Sequence, residues 1–428
     1  MANPAAGDQS RRKTALVLSG GGARGAYEAG VIAYLEQELG PELGRDLRFD
    51  ILAGTSIGAL NACALGAMAD QPKTRAGQII DIWRQLNCDA VLSFSVFDML
   101  RLLRESLGTH TGANHGHVER NAGLVDTKGL QALLLHKIPW RRIAWNLKRD
   151  HFEALSIGAT NIGSGRTTVF IQRKDGTAPQ WIQDSSYVAV PARISARHAL
   201  ASGAIPVIFP PVRIGSQLYT DGGLRLNVPL SPALRLGAER IAMISLRAAN
   251  EAQRERVATS ALREQDEQAF PSAAFLIGKM LNAVLEESVE QDIDRLMRLN
   301  VILEAGTTAY GPSFGSTLNT ALQPLGHLPL RQVRTILIRP SKEIGVLAAE
   351  YMRTQFKGHG GMASRTLKAV ADRESDSEAD LVSYLLFEGG FADWLIELGR
   401  RDARARRDDW ISFWAEAPQT KWEETHAA

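Results

Sequence analysis

The sequence predicts an α/β fold with a mostly parallel sheet, and two observations carry that prediction. Twice in about the first seventy residues, an apolar stretch runs into a glycine-containing turn and then into an apolar pattern of helical spacing. Strand–turn–helix units in series build parallel sheets, whose working loops lie at the carboxyl ends of the strands. The composition, 45% hydrophobic and 22% charged over 428 residues, is that of a globular chain able to bury a sizeable core.

The first unit is the strand Thr14 to Leu18, the turn Ser19-Gly20-Gly21-Gly22, and a helix marked by Tyr27, Val31, Tyr34 and Leu35. The second is the strand Phe49 to Gly54, the turn Thr55-Ser56-Ile57-Gly58, and the alanine-rich helix ALNACALGAMA. From Ile79 to Leu107 the apolar spacing predicts helix, and Gly108 to Gly123 reads as a loop. Leu155 to Ile162 and Arg166 to Gln172 flank Gly163-Ser164-Gly165 as adjacent strands on a tight turn. A short alanine-rich helix, a proline-bounded loop, a strand and the turn Asp221-Gly222-Gly223 follow. Arg240 to Leu246 and Arg334 to Pro340 supply further strands around a charged helical stretch. About the last eighty residues are helical in pattern, and no repeat or linker marks a firm boundary.

The 49 basic and 47 acidic side chains nearly cancel, which argues against a nucleic-acid partner. Two cysteines, Cys63 and Cys88, lie in no metal-ligand spacing and build no disulfide framework, so a reducing, cytoplasmic setting is expected. The polar N-terminus lacks the apolar core of a signal peptide, and no apolar run is long enough to span a membrane. Attachment to a membrane surface stays open. Lys137 to Arg149 and Arg400 to Trp414 both mix tryptophans with basic residues, as a surface-bound helix does and as a solvated basic helix with core tryptophans also does. His115 and His117 form an H-x-H pair without a third ligand, and read as solvated.

Gly20, Gly22 and Gly25 fit G-x-G-x-x-G, a loop that leaves backbone N–H groups open to an anion at a helix start. No Lys-Ser/Thr pair follows Gly25, which removes the P-loop reading. A dinucleotide site wants an acid at the end of the second strand, whereas Asp50 stands at its beginning. Gly54-Thr55-Ser56-Ile57-Gly58 is G-x-S-x-G between a strand and a helix, the context of a nucleophile elbow. A serine there needs a base and an oxyanion site. If the two strands are neighbours, the amides of Gly20 to Gly22 face Ser56 and serve as that site. His198, His327, His359 and Asp221 are all candidate bases, and spacing does not choose among them.

Gly20-Gly21-Gly22-Ala23-Arg24-Gly25, Gly54-Thr55-Ser56-Ile57-Gly58 and Asp221-Gly222-Gly223, in this order, resemble the motifs of patatin-like phospholipases. RHALASGAIPVIFPP and DGGLRLNVPL also look like blocks of that family. The resemblance implies a three-layer sandwich with a helical C-terminal extension. It also implies a Ser-Asp dyad, with Ser56 as nucleophile and Asp221 as base. Gly20 to Gly25, Arg24 among them, would form the oxyanion loop, assisted by Ile57, with Gly54, Gly58, Gly222 and Gly223 shaping the turns. Phospholipids or lysophospholipids would be substrates, with no metal or cofactor. The expected divisions are a flexible tail at 1–13, a catalytic domain at 14–245, a helical insertion and strand at 246–345, and a helical extension at 346–428.

Overall fold

The computed structural model describes residues 12–94, 125–126, 128–179, 187–206, 208–248, 288–325, 329–371 and 380–415. His115, His117 and His327 lie outside these residues, as do the first eleven positions of the expected tail. Both anticipated units form: β1 (Thr14–Leu18) leads into α1 (Ala26–Tyr34), and β2 (Ile51–Thr55) leads through Ser56 into α2 (Ile57–Ala67). Next come α3 (Arg75–Arg84), α4 (Arg141–Lys148), β3 (Ala154–Asn161), β4 (Thr167–Arg173), β5 (Tyr187–Pro191), α5 (Ala196–Ser202), β6 (Val212–Ile214) and β7 (Gln217–Asp221). β8 (Arg240–Ile244), α6 (Ser288–Tyr310), β9 (Arg334–Ile338), α7 (Asp380–Leu385), α8 (Gly389–Ala405) and α9 (Arg407–Trp414) complete the elements used below.

The helical pattern expected over 79–107 is interrupted within its described part. α3 stops at Arg84, and a new short helix begins at Cys88 because the Asn87 side chain accepts from the N–H groups of Asp89 and Ala90. An N-cap of this kind starts a helix afresh, and apolar periodicity does not register it. Residues 95–107 of that expectation, and the loop read over 108–123, lie outside the described residues.

Among the described residues the main sheet has nine strands, with path β9-β8-β1-β2-β3-β4-β5. The first five on that path are mutually parallel, and β4 turns back antiparallel to β3. Ala15 and Val17 of β1 pack into one layer with Ile293 and Leu296 of α6, while Leu16 and Leu18 enter the opposite layer with α1, α2 and α8. Strands covered on both faces read as unbroken apolar runs, which is why β1 and β2 show no polar alternation. The C-terminal helices belong to this core. A Cβ at Gly30 of α1 would lie 2.0 Å from the carbonyl of Ile396 in α8, so the two helices touch backbone to backbone.

One detail of register positions the site. β3 pairs with β2 up to Thr55↔Gly158, and its next residue, Ala159, pairs with Asp221 of β7. β7 therefore meets the carboxyl end of β2 head-on along one edge of β3. Residue 221 is carried to residue 56 by a one-step succession in the ladder.

Candidate active site

Ser56 holds φ 53° and ψ −123°, a backbone conformation that side chains larger than hydrogen rarely adopt. Packing enforces it. A Cβ at Gly54 would lie 2.3 Å from the Gly58 carbonyl, and one at Gly58 would lie 2.5 Å from that of Leu18, so both flanking positions must be glycine for the turn to close. The Ser56 N–H donates to Ser202 Oγ at 2.8 Å, and Ser202 Oγ donates in turn to the Gly158 carbonyl at 2.5 Å. Ser202 is fully buried.

The Ser56 hydroxyl donates to Asp221 Oδ2 at 2.7 Å. Asp221 is fixed at every other polar atom by neighbours whose own positions the sheet determines. Its Oδ1 accepts from Gly223 N–H at 2.6 Å, its carbonyl accepts from Thr160 Oγ1, and its N–H donates to the Ala204 carbonyl. Burial pushes its carboxyl up to about 7, although hydrogen bonds from Ser56 and Gly223 favour the charged form. A carboxylate whose basicity lies near neutrality, in contact with a strained serine hydroxyl, can accept that hydroxyl's proton as the oxygen attacks.

The glycine-rich loop lies beside this pair because β1 and β2 are parallel neighbours. A Cβ at Gly20 would come within 3.0 Å of Ser56 Cβ. Its amides are not equivalent. Gly20 N–H donates to Asn227, reaching both Oδ1 at 3.0 Å and the carbonyl at 3.2 Å, and Arg24 N–H donates to the Gly21 carbonyl. Gly22, at φ 57°, opens the 3-10 turn Gly22–Gly25, and Ile57 opens α2. First-turn N–H groups have no acceptor within their own helix. Gly22, Ser56 and Ile57 line one cleft together with Leu60, Leu200 and Ile205. Ala23 and Gly25 pack inward from this loop, and a Cβ at Gly25 would overlap the Ile57 side chain. Gly222 approaches β3 so closely that a Cβ would lie 2.2 Å from the Gly158 carbonyl.

Arg24 is buried and is not among the residues that line the cleft. Its Nε donates to Ser383 Oγ at 2.8 Å, it pairs with Asp380, and its guanidinium lies 4.0 Å from the Tyr384 ring centroid. Two of the histidines read as candidate bases are described, and both have other partners. His198 Nδ1 meets Ser195 in a capping box, its ring packs on Phe170, and burial pushes it down to about 4. His359 pairs with Glu388. Asp50, at the start of β2, binds the Thr14 N–H and is an anchor between strands.

The two stretches that mix tryptophan with basic residues differ. Trp410 and Trp414 are buried, and Arg404 and Arg407 pair with Glu38 and Glu42. Trp145 of α4 is 42% exposed, with Arg149 at 3.7 Å over its ring and His151 stacked on it. Asn146, next to it, donates to the carbonyls of Gly66 and Ala67 at the last turn of α2, the end remote from Ser56. Among the described residues no helix is long and apolar enough to cross a membrane, and no cluster of acidic, histidine and cysteine side chains could hold a metal.

Ser202 and Asn227 were not singled out from the sequence. Each is a polar residue with apolar neighbours, in ALASGAIP and LNVPL, and such a residue, once buried, must find a hydrogen-bond partner.

Known proteins resemble parts of this chain. A cGAMP-activated phospholipase of Pseudomonas aeruginosa is 30% identical over 214 residues, 50% of this chain and 53% of that protein. Lysophospholipase nte1 of Aspergillus terreus is 40% identical over 79 residues, 17% of this chain and 5% of that protein. The chain therefore matches about half the length of the first and a small part of the second. The solved structure of human GIVD cytosolic phospholipase A2, in complex with methyl gamma-linolenyl fluorophosphonate, aligns with a TM-score of 0.40 at 14% identity. That alignment covers 94% of this chain and 58% of the other. The model of the patatin-like phospholipase family matches residues 16–234, which contain the glycine loop, the elbow and Asp221, and the chain belongs to that family.

Proposed function

We propose that the chain is a lipid acyl hydrolase that cleaves fatty-acyl esters of phospholipids or lysophospholipids through a Ser56–Asp221 dyad. The observation that carries this reading is the 2.7 Å hydrogen bond from the strained Ser56 hydroxyl to a fully buried Asp221. Asp221 accepts the proton as Ser56 Oγ adds to the ester carbonyl. The amides of Gly22 and Ile57 receive the charge that develops on the carbonyl oxygen, and the alcohol leaves with the proton returned by Asp221. The acyl-enzyme is then opened by water, which Asp221 deprotonates in turn. The Gly20 amide, held by Asn227, shapes the loop without contacting the oxyanion.

Family membership supports lipid-ester hydrolysis, and the apolar cleft beside Ser56 suits an acyl chain. The test is hydrolysis of phospholipid, lysophospholipid and short-chain ester substrates by the wild type and by Ser56→Ala, Asp221→Asn, His198→Ala, His327→Ala and His359→Ala. The dyad requires loss in the first two variants and survival in the three histidine variants. Loss of activity in a single folded histidine variant would sink it in favour of a Ser-His-Asp arrangement.

A further inference from the structure

The matched family region ends at residue 234, yet the cleft at Ser56 has a wall from much later in the chain. Phe387 lines it together with Leu60 of α2, Leu200 of α5, Ile205, Phe209 and Val212. The residues lining this cleft include no charged side chain. We infer that Phe387 is a specificity-determining residue that limits the length of acyl chain the cleft accepts, an inference that rests on the acyl-hydrolase reading above.

Phe387 is firmly held. It is 3% exposed and lies two residues past the end of α7, where Leu386 N–H donates to the Val382 carbonyl and Phe387 N–H to that of Leu385. On its other side Gly389 N–H donates to the Leu86 carbonyl, which ties the start of α8 to the end of α3. α7 is itself clamped to the glycine loop. Ser383 Oγ accepts from Arg24 and donates to the Asp380 carbonyl, and Asp380 pairs with Arg24. The Tyr384 carbonyl sits where a Cβ on Gly22 would fall, at 2.3 Å. The residue that lines the cleft as a candidate oxyanion donor and the segment that carries its aromatic wall thus form one packed unit. A benzyl group packed in the core on a backbone held in this way has less room to swing aside for extra methylenes than a side chain on a loose loop.

The test compares kcat/KM for p-nitrophenyl esters from butyrate to palmitate in wild type, Phe387→Ala and Phe387→Trp, with dissociation constants for the matching free fatty acids measured on Ser56→Ala backgrounds. Phe387→Ala is expected to raise the ratio of long-chain to short-chain kcat/KM by about tenfold or more, and Phe387→Trp to lower it. A change in packing alone would depress all chain lengths together and leave the ratio where it was. That result in both folded variants overturns the inference. If the wild type hydrolyses no ester, the dyad reading fails separately. Fatty-acid affinities whose chain-length dependence still shifts in opposite directions in the two variants then support the wall, and affinities that do not shift overturn it.

Discussion

Two fully buried carboxyl groups, Asp221 and Glu28, differ in what burial accomplishes. Asp221 ends β7 against Ser56, and Glu28 lies in α1 against α2. Burial pushes both well above the ordinary carboxylate range. Glu28 accepts from the Asn61 amide at 2.8 Å, and Asn61 also donates to the Gly25 carbonyl and accepts from Trp83 Nε1. Its partners form an inward network. The partner of Asp221 is a hydroxyl on the wall of an apolar cleft. A raised carboxyl is therefore no sign of a base by itself. What matters is whether the group it touches can reach a substrate.

The largest expected effect separates the two sites directly. Asp221→Asn and Ser56→Ala should each lower kcat by at least about a thousandfold, the scale seen when one member of a catalytic unit is removed. Glu28→Gln should stay within about fivefold of wild type. Equal losses in Asp221→Asn and Glu28→Gln, with circular dichroism unchanged, would place Glu28 in the reaction as firmly as Asp221.

Next in size is the linkage between the proposed role of Asp221 as base and its stability cost. A carboxyl raised to about 7 in the folded state binds a proton that the unfolded chain has already released. Its contribution is complete below the unfolded value near 4 and disappears as pH rises through about 7, a swing of up to about 4 kcal/mol. Asp221→Asn should therefore gain stability relative to wild type as pH rises from 4 to 8, read from urea midpoints. Over the same range kcat/KM of the wild type should climb about tenfold per pH unit and level off above about 7, because only the ionised carboxylate accepts the Ser56 proton. A pH–rate profile flat down to pH 5 would remove Asp221 as the base.

Smaller still is the effect of Ser202→Ala. The Ser56 N–H would lose its acceptor in a buried site, at a cost of about 1–3 kcal/mol. Because this bond holds the backbone of the proposed nucleophile and Ser202 is not among the residues lining the cleft, kcat should fall with KM nearly unchanged, and Ser202→Thr should restore part of the loss. An equal fall in kcat and rise in KM would assign Ser202 to the shape of the cleft instead.

These sites were unequally legible. The glycine loop and the elbow could be read because close backbone approach demands glycine locally, as Gly54 and Gly58 show. Asp221 could not be chosen over the histidines by spacing, because its meeting with Ser56 depends on the Gly158–Ala159 succession in the β3 ladder, a long-range register with no local pattern. The resemblance to patatin-like phospholipases named the pair where physics alone left four candidates. Ser383 and Asp380, which bind the Arg24 side chain, lie 356 or more positions away in α7, so no local pattern announces them. Nor does any motif separate the Gly20 amide, already bound to Asn227, from the Gly22 amide beside it.

The smallest expected effect falls on Glu28 and is the sharpest test of the comparison. Its carboxyl is raised by burial, with the Asn61 amide and the backbone at Ser19 pulling the other way. The sign is the same as for Asp221: stability present at low pH is lost as pH rises through the folded value. Gln mimics the protonated side chain in size, so Glu28→Gln should lie within about 1 kcal/mol of wild type at acidic pH and gain on it as pH increases. Unlike Asp221→Asn, this gain should come with activity kept at every pH. If Glu28→Gln also displaces the pH–rate profile, then the inward network reaches the elbow through Asn61 of α2, and the two carboxyls act as one coupled site.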